Sequence, residues 1–311
     1  MGTPDFAVPS LEAVAASCEL VAVVTQPDRP RGRGRKLAAS PVAVAAEPLG
    51  VPVLRLESLR DDATRAKLAA LEADLFAVVA FGAILPPALL EVPRLGCVNL
   101  HASLLPDYRG ASPVQHALWD GVAGTGITTL WMDEGIDTGD CMLQRWVGID
   151  PADNAGSLAR RLAMLGAPLL AESLLLAHQG TAPHRPQPRG AGSYARKLEK
   201  RDGVVSWSLD AVTVWNRQRA VTPWPGAATA HRGRALTITH AWPHHLLPVE
   251  AAPGTVLAVM DESVAVACGP GVLLVTRVKP EGRNEMTAAE WARGARLARG
   301  ERLAMEEEAH A

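Results

Sequence analysis

The 311-residue sequence predicts an α/β protein: a doubly wound, mostly parallel sheet followed by a smaller β-barrel domain. Three observations lead there. Through residues 1–150, continuous β-branched apolar runs alternate with helical segments, the pattern of strands covered on both faces by helices. Residues 179–192 are rich in Pro, Gly and Arg and carry no apolar periodicity, which breaks the chain. Beyond the break, short strand candidates recur with turn residues between them, the spacing of a small barrel. The expected organisation is residues 1–178, a linker at 179–195, and a second domain at 196–311; the length suits two domains.

The elements follow in chain order. A helical pattern at 9–16 precedes the first run, ELVAVVT at 19–25, and a charged helical stretch at 61–73 precedes the second, DLFAVVAF at 74–81. GCVNLHAS at 96–103 and GITTLWMD at 126–133 are the third and fourth, and 141–149 reads as another strand. Residues 154–177 form the clearest helix: Leu158, Leu162, Leu165 and Leu169 repeat at helical spacing, and Asp153 or Asn154 suits its N-cap. After the linker, 204–208, 235–240, 254–259, 263–268 and 272–278 read as strands. The opening Gly2-Thr3-Pro4-Asp5-Phe6 reads as a loop entering a helix. In a doubly wound sheet such a loop follows a strand, so a first strand is expected to be missing.

Composition sets bounds. Apolar residues make up 48% and charged residues 21%, ordinary values for a globular chain. Net charge is −2, but it is unevenly spread. Residues 1–188 hold 15 Lys/Arg against 20 Asp/Glu, and residues 189–311 hold 16 against 13. The basic excess of the second part hints at a polyanionic partner. Cys18, Cys97, Cys141 and Cys268 are scattered with no CxxC pair, which argues against a disulfide framework or a zinc site and for a reducing, cytoplasmic setting. No membrane-spanning apolar stretch and no signal peptide is read from the chain, and five of its eight Trp lie past the linker, as core or packing residues.

Three segments carry chemistry. In the run from Asn99 to Gly110, Asn99 and His101 are two apart on a strand and share a face, near the strand end where α/β sheets open to ligands. An amide beside an imidazole suits a developing oxyanion; an isolated Asn-x-His is more commonly a polar pair satisfied at a sheet end. The second run, Met132 to Asp140, holds four acids and two glycines, and a carboxylate there can orient an imidazole and relay protons. Taken alone it is as well an acidic turn, and the EF-hand spacing is absent. The third is the basic segment containing Arg29, Arg31, Arg33, Arg35 and Lys36, whose guanidinium groups suit phosphate contact or simply a solvated loop. No GxGxxG follows a strand, which argues against NAD.

Together these segments resemble the folate-dependent formyltransferases: Asn99-x-His101-x-Ser103-Leu104-Leu105-Pro106 with Asp137 downstream is similar to that family's catalytic signature. Gly2 to Ser10, Thr25 to Pro30, Ala80-Phe81-Gly82-x-Ile84-Leu85-Pro86 and Pro223-Trp224-Pro225-Gly226 resemble its methionyl-tRNA-dependent branch, so the likeness covers nearly the whole chain. The resemblance implies a formyltransferase-type Rossmann-like domain with an OB-like second domain. It implies 10-formyltetrahydrofolate as co-substrate with no metal, initiator methionyl-tRNA as partner, and a cytoplasmic monomer with no membrane association. It implies Asn99, His101 and Asp137 as the catalytic trio. Ser103, Leu104, Leu105 and Pro106, with Phe81, Gly82, Ile84 and Leu85, would be folate contacts. Arg29, Arg31, Arg33, Arg35 and Lys36 would be tRNA contacts. Family members carry an apolar strand before the Gly2–Phe6 segment. Glycinamide-ribotide formyltransferases, nucleotide-sugar formyltransferases, folate hydrolases with the same core, and a tRNA-binding module without catalysis stay open as alternatives.

Overall fold

In the computed structural model, which describes residues 1–31, 36–244 and 250–305, the apolar runs take up short strands. In chain order these are β1 (Val23–Thr25), β2 (Arg29–Arg31), β3 (Lys36–Ala38), β4 (Val53–Arg55), β5 (Phe76–Val78), β6 (Cys97–His101), β7 (Arg109–Gly110), β8 (Gly124–Trp131), β9 (Cys141–Gly148) and β10 (Tyr194–Ala195). Helices α1 (Val8–Ser17), α2 (Pro41–Ala46), α3 (Asp62–Ala69), α4 (Pro87–Leu90), α5 (Pro113–Trp119) and α6 (Ala155–His178) intervene. The chain divides into two units, one of residues 1–113, 124–148 and 159–195, the other of 114–123, 149–158 and 196–311.

In the first unit β1 pairs parallel with β4, and β5 parallel with β6. β8 then runs antiparallel to β6, and β9 antiparallel to β8. Parallel pairing, as expected, thus holds for β1 with β4 and β5 with β6, and the sheet is mixed because β8 and β9 run antiparallel at one edge. Residues 132–140 join β8 to β9 directly, and a connection that short cannot carry the crossover a parallel pair requires. Val24, Leu68, Phe76, Val78, Phe81 and Leu89 form the core under these strands. Where a first strand is expected to be missing, Met1 and Gly2 bridge the two sheets. Gly2 N donates to Val24 O at 3.0 Å, Val79 N donates to Met1 O at 2.9 Å, and the Met1 amine donates to Ala77 O at 2.6 Å. Burial pushes that amine down to about 6.

Helix α6 is capped as its sequence suggests, with Ser157 N donating to Asn154 Oδ1. Leu158, Leu162 and Leu169 are buried, and Leu165 sits at the helix's exposed margin. Contrary to the reading of no such stretch, α6 is long and apolar enough, by length and composition, to cross a bilayer; more than half of that window is buried inside the protein.

The second unit adds α7 (Ala211–Ala220), β11 (Ala227–His231), β12 (Arg234–His244), β13 (Val256–Val259), β14 (Val264–Ala267), β15 (Val272–Pro280), β16 (Met286–Thr287) and α8 (Ala288–Ala295). Its antiparallel sheet runs β11-β12-β15-β14-β13, with β16 also on β15. Among the described residues no direct pairing of β11 with β13 closes it into the expected barrel, but Leu303 bridges His231 on β11 and Arg302 bridges Thr255 beside β13. Residues 204–208, expected as a strand, make only a parallel bridge from Val204 to Ala228 before turning into α7, whose N-cap Asp210 accepts from Thr213 N. Trp207, Leu236, Ile238, Val256, Val266 and Leu273 fill the core.

One ion pair in this unit gives a pH test. The Arg196 guanidinium donates to both Asp202 carboxylate oxygens and holds that acid down to about 2. A depressed folded value means that the pair stabilises above the ordinary carboxylate range, near 3.9, and that its contribution is lost as pH falls towards about 2. Thermal melts of wild type and Asp202→Asn are therefore expected to differ at pH 6 and to converge as the pH approaches 2.

Candidate active site

Strand periodicity places Asn99 and His101 on one face of β6, as the sequence predicts. Asp137 reaches them from the β8–β9 loop. Asn99 Nδ2 donates to Asp137 Oδ1 at 3.2 Å, and His101 Nδ1 lies 3.5 Å from Asp137 Oδ2. The His101 and Asp137 side chains are only 7% and 15% exposed, so this ion-pair geometry is shielded from solvent screening. Gly110 N donates to Asp137 Oδ2 at 2.9 Å. The predicted trio is thus brought together.

The other ring nitrogen also faces an acceptor. His101 Nε2 is 2.8 Å from Tyr108 O, and a carbonyl only accepts, so Nε2 carries its hydrogen there. Nδ1 faces the Asp137 carboxylate. Tyr108 and Asp137 both take left-handed backbone, φ +59° and +55°, which ordinary residues adopt only when their surroundings hold them. Tyr108 N donates to the Ser193 hydroxyl and Arg109 N to Ser193 O, while β7 pairs parallel with β10. Asn99 Nδ2 carries two hydrogens; one points to Asp137, and the second meets no acceptor among the described residues.

The loop after β6 is built from within. Thr128, fully buried on β8, donates its hydroxyl to Ser103 O and accepts from Leu105 N, while Gln144 Nε2 donates to Leu105 O. Ser103 is fully buried with its hydroxyl on Asp107 O, and Leu105 is buried ahead of a cis peptide to Pro106. Leu104 is half-buried against Gly126, where any Cβ would collide with its side chain. Phe81 and Leu85 are buried, whereas Ile84 is 72% exposed. Gly82 has φ +85° with open space where a side chain would stand.

Of the basic segment, Arg29 is exposed beside Gln26, whose Oε1 accepts from Arg29 Nη2. Arg31 and Lys36 are main-chain register partners where β2 pairs with β3, and Arg33 and Arg35 lie outside the described residues. All four cysteines are free. Burial pushes the Cys97 and Cys268 thiols up to about 12, and Cys18 and Cys141 are raised too, so none is a thiolate nucleophile at neutral pH. Among the described residues no group of three or more His, Cys, Asp or Glu is arranged to hold a metal ion. Sequence reasoning missed the Tyr108 carbonyl, the Gly110 N–H, Thr128, Gln144 and Gln187. The first two were foreshadowed only by their place in the dense segment 99–110, and Gln187 carried no signal in a Pro-rich stretch.

Comparison with known proteins adds an independent line. A family model for formyl transferase matches residues 6–174, and one for the formyl transferase C-terminal domain matches residues 197–296. The methionyl-tRNA formyltransferase of Pelotomaculum thermopropionicum is 45% identical over 304 residues, covering 96% of each chain. That of Heliobacterium modesticaldum is 46% identical, covering 97% of this chain and 98% of its own. Among solved structures, the sugar 3N-formyl transferase WlaRD aligns with TM-score 0.64 at 16% identity over 91% of this chain and 97% of its own. HypX from Aquifex aeolicus in complex with tetrahydrofolic acid aligns with TM-score 0.58 at 22% identity over 80% of this chain and 43% of its own. These two speak to the fold.

Proposed function

Because the chain belongs to the methionyl-tRNA formyltransferases, we infer that it transfers a formyl group from 10-formyltetrahydrofolate to the free α-amine of methionine on initiator methionyl-tRNA, for translation initiation. The observation that carries this is identity above 40% along nearly the full length of both chains. The interlocked Asn99–His101–Asp137 cluster supports catalysis over a tRNA-binding module without it.

The chemistry derives from the site's own groups. The neutral amine attacks the formyl carbon. Negative charge then collects on the formyl oxygen, where the second N–H of Asn99 and protonated Nδ1 of His101 can donate. Asp137 holds both donors and, with Nδ1, passes the proton from the amine to the departing N10 of the folate. Collapse breaks the bond from the formyl carbon to N10 and leaves the new amide. No covalent enzyme intermediate enters. Phe81, Gly82, Ile84 and Leu85, with the loop Ser103-Leu104-Leu105-Pro106, would form the walls for the folate rings.

The nucleic-acid side is proposed on charge. Arg29, Arg31, Arg33, Arg35 and Lys36 would contact phosphates of the acceptor end, and the second unit, read as OB-like, would hold the tRNA body. We further propose that it acts in the cytoplasm as a monomer. Labelled formyl is expected to pass to initiator methionyl-tRNA but not to elongator methionyl-tRNA or uncharged tRNA. Transfer to a glycinamide ribotide or an amino-sugar nucleotide instead would move the protein to another branch of the family.

A further inference from the structure

Gln187 lies in the Pro-rich stretch expected as a linker, yet its amide has no spare hydrogen-bonding capacity. Oε1 accepts from Arg109 Nε at 3.0 Å and Nη2 at 2.7 Å. Nε2 donates to Asp137 O and Gly139 O, each at 2.8 Å. Arginine only donates and main-chain carbonyls only accept, so one amide orientation alone satisfies all four contacts. The neighbouring residues Arg109 and Gly110 thereby hold Asp137 at two points: Gly110 N at the carboxylate, and Arg109, through Gln187, at the main-chain carbonyl. Gly139, the second carbonyl partner, is itself pressed against Trp131 O, where a Cβ would stand only 1.9 Å away.

We propose that Gln187, locked by Arg109, is a positioning residue that keeps Asp137 in its left-handed conformation, and so keeps its carboxylate on Asn99 and His101. The proposal rests on the reading of those three as the catalytic groups. Asp137 carries φ +55°, a conformation that persists only when its surroundings over-determine it. Released from Gln187, the loop can relax toward ordinary backbone and swing the carboxylate away from Nδ1. Displacement of a catalytic group by about 1 Å can cost about 10²-fold in rate.

Gln187→Glu makes the decisive variant. It keeps the side chain's length and its pairing with Arg109, and replaces two N–H donors by a carboxylate facing two carbonyls. We expect kcat to fall by about 10- to 100-fold with KM for both substrates within about twofold and an unchanged thermal melt, and the pH profile of kcat to shift because Asp137 no longer faces Nδ1 squarely. Wild-type kcat with a normal pH profile would overturn the proposal, since it would leave Gln187 only anchoring Arg109. Should that variant not fold, Gln187→Met, which removes all four bonds without adding charge, must show the same kcat-selective loss, and wild-type kcat there would overturn the proposal equally. Asp137→Asn, assayed alongside, separates the two levels: if it keeps full activity, the catalytic reading itself fails, whatever Gln187 does.

Discussion

His101→Ala is expected to lower kcat for formyl transfer by about 10²–10⁴-fold, with the thermal melt preserved, and Asn99→Ala to lower it by about 10²–10³-fold. The ordering follows from what each side chain supplies. Asn99 offers one spare N–H to the formyl oxygen and is one donor of a pair. His101 offers a donor to the same oxygen and also the nitrogen through which the proton moves. Its Nε2 is committed to Tyr108 O, so Nδ1 beside Asp137 carries both duties. KM for either substrate is expected to change little, because both contacts strengthen only as charge develops. His101→Asn keeps an N–H donor but cannot shuttle a proton, and should fall between wild type and alanine. Because the two donors serve one oxyanion, the double variant is expected to lose much less than the product of the single losses. Single-turnover assays on preformed complexes read these values directly; near-normal turnover in His101→Ala would remove the imidazole from the mechanism.

How much of this was legible in the sequence depends on the range of the information. The Asn99–His101 pair was legible because a strand's two-residue period alone puts both on one face. Helix α6 was legible because a long amphipathic repeat and its Asn154 cap are local signals. The hand of the sheet was not: β6, β8 and β9 read as apolar runs whichever way they run, and only the directness of the β8–β9 connection, seen once strand ends are known, makes that pair antiparallel. Helix α7 was missed because its buried positions include Asn216, Gln218 and Arg219, which break the apolar pattern. Two of them find partners distant in sequence, Gln218 Nε2 donating to Thr239 O and Arg219 Nη1 to Asp153 O. Gln187 failed for the same reason, its four partners lying at Arg109, Asp137 and Gly139. The site's donors were therefore readable from spacing, while the groups that aim them were readable only from the fold.

Trp207→Ala is expected to destabilise the protein by about 3–5 kcal/mol, the largest loss anticipated from one core substitution in the second unit. Trp207 is 2% exposed and the largest side chain fully buried in the protein among the described residues. Gly254 is pressed against its ring, where an added Cβ would stand 3.2 Å from Cδ1. Its Nε1 donates to Thr229 Oγ1, a hydroxyl with no exposure to water, and its carbonyl accepts from Gly269 N. Truncation therefore costs twice, by opening a cavity among β-sheet side chains and by leaving the Thr229 hydroxyl without its donor. Two variants separate these terms. Trp207→Phe keeps most of the ring volume but drops the N–H, and should cost clearly less than alanine. Thr229→Val removes the orphaned hydroxyl at nearly constant volume; combined with Trp207→Phe, it should cost less than the sum of the two single changes, since each alone leaves one buried polar group unpaired. Urea unfolding at neutral pH measures all four variants. A cost near zero for Trp207→Ala would mean that the second unit does not contribute to the cooperative transition being observed, which a second probe placed in the first unit would reveal as a separate step.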